Sequence, residues 1–157
     1  MPIMKQQGIH NAQIPNPALS ELAQLVGQWT TASTHPAVPN KVLAGKASFD
    51  WIEGGAFLRW YLEVDEEGFP VGIGIFGSDD TTGELVMLFF DERKISRKYT
   101  VSVEGKMVKW WRKVPGFWQR YSWTITDDGN TIIGKGELSE DGQIWGNDLD
   151  QTFTRVN

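Results

Sequence analysis

With two histidines and no cysteine among 157 residues, this chain has a narrow repertoire for chemistry. Thiol catalysis, disulfides and cysteine-based zinc sites are excluded. His10 and His35 are too few for a histidine-rich metal site or for an argued Ser–His–Asp arrangement, so no metal is expected. His35, just before Pro36, falls at a strand end, where an imidazole could act as acid or base near neutral pH; a solvated strand-end histidine is the plainer reading. Asp148 and Asp150 stand two apart on one predicted strand and so share a face. Buried together, two carboxylates acquire separated pKa values and can serve as general acid and base, although Asp-x-Asp also occurs on solvated faces. Tyr99 is the remaining candidate for proton transfer.

A second group of residues suits binding. Arg112 shares a strand face with Trp110, and Arg120 sits on the neighbouring strand. Buried arginines favour bidentate carboxylate or phosphate partners, so either could anchor an acidic ligand, with surface ion-pair ladders as the alternative. Trp60, Phe90, Trp110 and Trp118 are candidate aromatic walls or ordinary packing. Gly72-x-Gly74-x-x-Gly77 mimics a nucleotide fingerprint, but it lies within a strand with no helix after it to aim amides at a phosphate. It reads as room for close packing or for ligand.

Composition limits the partners. Eight tryptophans and eight phenylalanines are many for this length and suit either a core or a ligand cavity. A net charge of −5 argues against nucleic-acid and anionic-membrane partners. No stretch approaches a membrane span, and the N-terminus lacks a charged region followed by an apolar run, so a cytoplasmic location is expected. The expected partner is a small hydrophobic molecule; a homodimer is compatible with the sequence.

The elements that must position these residues are mostly strands. Residues 1–16 read as a polar N-terminal arm, and 17–157 as one domain. A short amphipathic helix, capped by Asn16 and opened by Pro17, presents Leu22, Leu25 and Val26 on one face and ends at Gly27. A strand from Gln28 to Thr34 follows, then a loop at Ala37–Lys41 with a turn at Pro39-Asn40. Further strands are predicted at Val42–Ile52, Phe57–Val64, Phe69–Gly77, Glu84–Asp91, Ile95–Val103, Met107–Lys113, Phe117–Thr126, Thr131–Ser139 and Gln143–Val156. Turns rich in Gly, Asp and Asn join most of them as hairpins. A meander of about ten strands closes to remove its edges, which predicts an all-β, antiparallel up-and-down β-barrel over a two-sheet sandwich. Alternation within strands defines two face sets without saying which is inside. The last strand must pair with the first, where Arg155 can cap the face of Trp29 as a structural latch.

Helix, Gly27-x-Trp29, about ten meander strands and a late Arg155 together resemble the calycin superfamily of lipocalins, fatty-acid-binding proteins and nitrobindins. More closely, Phe90-Asp91-x4-Ser96-Arg97-x-Tyr99, Trp110-x-Arg112-x-x-Pro115-Gly116-Phe117-x-Gln119-Arg120, Asp128-Gly129-Asn130-Thr131-Ile132-x-Gly134 and Trp145-x-x-Asp148-Leu149-Asp150-x-Thr152-x-Thr154-Arg155 are similar to an uncharacterised bacterial family of small calycin-like proteins. The resemblance spans about Leu22 to Val156. It implies a ten-stranded barrel holding a small apolar or aromatic molecule. Thr31 and Ser33 replace two glycines of the nitrobindin pattern, and no histidine follows His35, so haem ligated through a late histidine is not expected and no cofactor is assigned. Leu88 stands where related sequences often carry a histidine. The leading expectation is a barrel that binds a small hydrophobic or aromatic ligand with an acidic end held by arginine. The alternative is a cofactor-free cyclase, isomerase or lyase acting on a hydrophobic molecule in the same cavity.

Overall fold

The computed structural model describes residues 13–156; the N-terminal arm up to residue 12, including His10, and residue 157 lie outside the described residues. A 3-10 helix, Pro17–Leu25, leads into eleven antiparallel strands: β1 (Gly27–His35), β2 (Val38–Ile52), β3 (Phe57–Val64), β4 (Gly72–Ser78), β5 (Leu85–Asp91), β6 (Ile95–Glu104), β7 (Met107–Val114), β8 (Phe117–Ile125), β9 (Thr131–Ser139), β10 (Gly146–Asn147) and β11 (Asp150–Arg155). Strands β1 to β9 pair in sequence order, and β11 inserts between β9 and β1. That last pairing closes a ten-stranded barrel, with the two-residue β10 resting on the far half of β9. Among the described residues, no helix is long and apolar enough to cross a membrane.

The helix is tighter than its amphipathic pattern predicts. In a 3-10 turn residues three apart eclipse one another, and Leu19, Leu22 and Leu25 therefore form one fully buried ridge, while Val26 beyond the helix is only partly covered. Asn16 caps the first turn by accepting from the Ala18 amide at 3.0 Å. This ridge plugs one end of the barrel. Above it Trp29, Phe49, Phe76, Trp123 and Phe153 fill the lower interior, with Phe49 stacked on Trp60 at 6.1 Å and Trp123 edge-on to Trp60 at 4.9 Å.

Arg155 ties the closed end together. Its guanidinium lies 4.2 Å above the Trp29 ring. It donates to the carbonyls of Val26 (2.6 Å), Gln24 (3.1 Å) and Gly129 (3.0 Å), and the Trp29 indole donates to the Leu25 carbonyl at 2.9 Å. The Gln24, Leu25 and Val26 carbonyls are the acceptors that a helix end leaves without a partner, and Gly129 belongs to the β8–β9 turn. Gly27 is required here: its φ is +138°, and a Cβ would lie 2.5 Å from an Arg155 nitrogen.

Several boundaries differ from the sequence expectation, and β4 begins at Gly72 where Phe69 was expected. The first hairpin turns at Pro36–Ala37, so that His35 faces Val38 and β2 begins four residues early; Asn40 takes a φ of 62° inside the strand instead of making the turn. The last strand is broken between Asn147 and Asp150, with consequences for the site below. Because Trp29 is buried against Phe153 and carries the Arg155 cap, Trp29→Ala is expected to cost about 3–5 kcal/mol of stability, read as a lowered midpoint in urea unfolding.

Candidate functional site

Strand parity decides what the upper barrel contains. Tyr99 and Val101 on β6, Trp110 on β7 and Gln119 and Trp123 on β8 are buried. The same faces therefore carry Arg97, Arg112 and Tyr121 inward. Of these, Arg97, Tyr99, Trp110, Gln119 and Tyr121 line, with Trp60, Phe69, Phe89 and Phe117, a cavity of about 420 Å³ that opens at the end opposite the helix. This volume suits a small organic ligand. Gly72 and Gly74 of β4 make room for the aromatic wall: a Cβ on Gly74 would meet the Trp60 ring at 2.9 Å, and one on Gly72 the Phe89 ring at 2.6 Å.

The polar groups of the cavity form one directed chain of hydrogen bonds. Tyr99 (2.9 Å) and Arg97 (3.3 Å) donate to the Gln119 side-chain oxygen. The Gln119 amide nitrogen donates to the Tyr121 hydroxyl at 2.9 Å, and that hydroxyl donates to Asp148 Oδ2. Asp148 Oδ1 lies 3.1 Å from His35 Nε2. The Ala37 amide donates to His35 Nδ1 at 3.0 Å, which leaves the ring proton on Nε2, aimed at the carboxylate. A second pair stands at the rim, where Arg93 donates to both Asp91 oxygens at 3.2 and 2.8 Å.

These surroundings set the proton affinities. Burial, followed by the charge of Asp148 and the hydrogen bond to it, holds the Tyr121 hydroxyl far above the ordinary phenol range. Burial also raises Tyr99, with Arg97 opposing part of the effect. Burial alone would raise Asp91, but hydrogen bonds from the Arg93 side chain and backbone outweigh it, and its carboxyl lies below the usual range.

Asp148 reaches the cavity through a change of register. Asn147 pairs with Glu137, and Gln151 with Gly134, so four steps along the last strand oppose three along β9. The extra residue is a β-bulge. It turns Asp148 inward to Tyr121 and His35, whereas Asp150 accepts from the Gly136 amide at 3.2 Å; both border a groove outside the first hairpin. The two aspartates thus do not share a face, contrary to the expectation from unbroken alternation.

Of the other predicted residues, Trp60 and Trp110 line the cavity. Arg112 sits opposite Gln119 on the inward face, half-buried, and its charge is felt at Tyr99. Trp118, Arg120 and Phe90 are one residue out of phase with Tyr121 and Phe89, and they stand on the outer wall. Phe90 is 43% exposed, and Arg120 lies 3.7 Å over the Trp145 ring while pairing with Glu137 at 2.8 Å. Arg120 therefore cannot serve as an anchor inside the barrel. Trp29 and Arg155 lie at the closed end, away from the cavity.

The residues that sequence reasoning passed over are Arg97, Gln119 and Tyr121. A signal was present, since each falls on the same strand face as Tyr99 or Trp123, but inward polar residues interrupt the apolar pattern used to define that face. All three tyrosines, Tyr61, Tyr99 and Tyr121, are raised above 10.0, Tyr61 mainly by its hydrogen bond to Glu63. Absorbance at 295 nm is thus expected to show less than about one tyrosinate per native chain at pH 10.5, against roughly two in denaturant, from the unperturbed phenol pKa.

No protein-family model and no curated protein matches the chain. Among solved structures it is similar to Rv2717c from M. tuberculosis, with a TM-score of 0.65 and 16% identity over 92% of this chain and 100% of that one. A protein with unknown function of the DUF3598 family from Nostoc punctiforme PCC 73102 aligns over 90% of this chain and 100% of its own, at a TM-score of 0.28 and 7% identity. The first likeness is one of fold: both chains are built on the same barrel.

Proposed function

We propose that this is a calycin-like binding barrel, which takes a small, largely apolar or aromatic molecule into the cavity and holds an acidic end of it through Arg97. The observation that carries the reading is the balance of unspent donors and spent acceptors. Both carboxylates at the cavity are already occupied, Asp91 by Arg93 and Asp148 by Tyr121 and His35. Arg97 spends one of its five N–H groups, on Gln119, rests 5.2 Å from the Phe117 ring, and has no carboxylate within 4.0 Å among the described residues. Arg112, close by, is likewise without a carboxylate. An anionic group on a guest would complement these unspent donors.

The same accounting favours binding over acid–base catalysis. Both nitrogens of His35 are engaged, Tyr121 and Tyr99 are held as neutral phenols, and Asp148 accepts from two donors. A cofactor-free enzyme would first have to break this chain to free a base.

Two fluorescent probes with one aromatic body separate the parts of the proposal. N-phenyl-1-naphthylamine is neutral, and 8-anilino-1-naphthalenesulfonate adds a sulfonate. Both are expected to bind, the sulfonate at least about tenfold tighter, as for a hydrogen bond to a charged group. Arg97→Gln should bring the sulfonate down to the level of the neutral probe and leave the neutral probe unchanged. Binding of neither would overturn the cavity reading; equal binding of both, insensitive to Arg97, would overturn the anchor alone.

A further inference from the structure

We propose that the outer wall of β6–β9 is a docking surface for an anionic lipid bilayer. This inference rests on the surface alone and stands apart from the cavity reading. The wall presents Lys98, Lys109, Lys113, Arg120 and Lys135 against two carboxylates, Glu104 at the end of β6 and Glu137, in a chain that carries 20 acidic residues and 15 lysines and arginines. Glu137 is taken up by Arg120 at 2.8 Å. No carboxylate lies within 4.0 Å of the four lysines among the described residues. Ser122 alone stands between Lys109 and Lys135 in the cross-strand row. The chain-wide charge, which argues against an anionic membrane, averages over this segregation.

Tryptophans accompany the lysines. Trp111, Trp118 and Trp145 line a groove of about 600 Å³ on this wall together with Lys109, Lys113 and Lys135. Their ring faces are partly spoken for: Lys113 lies 5.0 Å from the Trp118 ring, Gly142 packs so closely on that ring that a Cβ would approach to 2.6 Å, and Arg120 covers Trp145. Rings covered in this way are poor platforms for unstacked bases, which disfavours single-stranded nucleic acid. Half-exposed indoles among lysines do match the headgroup layer of a membrane. Beside Trp145 the Ile144 side chain is 80% exposed, an apolar group placed to enter that layer. Two acids at this end, Glu140 and Asp141, face solvent; the amides of Ile144 and Gln143 hold the Asp141 carboxyl below the usual range, so the lysines must outweigh both. Each lysine near an anionic surface adds about fivefold to binding.

The test is flotation of the full chain with vesicles of phosphatidylcholine alone or with 30% phosphatidylglycerol, at 50 and 300 mM salt. Binding is expected only to the anionic vesicles, and to fall at the higher salt. The paired reversal Lys109→Glu with Lys135→Glu should lower it more than tenfold, and Ile144→Ser by a smaller factor, with an unchanged urea unfolding midpoint as the control for folding. Equal partition to neutral and anionic vesicles, no partition to either, or anionic binding that survives the double reversal would each overturn the proposal. So would retention on an acidic protein or on poly(U) at salt that strips the vesicles.

Discussion

One guanidinium holds the closed end of this barrel. Arg155 sits on Trp29 and donates to backbone carbonyls from the helix end, from the residue before β1 and from the β8–β9 turn. The first two adjoin in sequence and the turn lies far along the chain, and each would otherwise leave a carbonyl without a partner where water is scarce. The helix can present its leucine ridge to the core because its C-terminus is fixed in this way. The cavity then opens at one end because the other is plugged.

The interior is graded along its length. Near the plug, aromatic rings meet at 4.9 to 6.4 Å, and among the described residues the buried side-chain polar atoms without a partner are the Trp60 and Trp110 indole nitrogens and the Thr31 hydroxyl. Toward the mouth the inward positions become tyrosine, glutamine, arginine, aspartate and histidine. A polar group in such a place is tolerated only when its hydrogen bonds are made, and the chain from Arg97 to His35 meets that demand while fixing the direction of every bond. A network that satisfies itself in this way leaves the Arg97 guanidinium as the group with donors still unspent.

Much of the architecture was legible in the sequence, since hairpin turns with Gly, Asp and Asn, short even strands and Gly27-x-Trp29 all argue for a closed meander. The site was less so. Period-two alternation separates two faces but carries no sign, so Trp118, Arg120 and Phe90 remain candidates for either side until Tyr121 and Phe89 set the parity. Phe90 in particular lies in a run, Leu85 to Phe90, that is apolar on both faces, so hydrophobicity could not choose between the two. The helix was recognised, but its three-residue period was not, because Leu19, Leu22 and Leu25 differ from an α-helical stripe by a small drift over one short segment.

The bulge before β11 has a wider meaning. Asp148 points inward because one extra residue is counted into the last strand, not because of any property of aspartate or its immediate neighbours. Barrels of this kind can thus gain or lose an interior acid by a single-residue insertion or deletion, with every other side chain kept. Aligning relatives without gaps across residues 147–151 would pair an inward acid with outward ones. The character of the pocket is written partly in chain length, a variable that substitution tables do not contain.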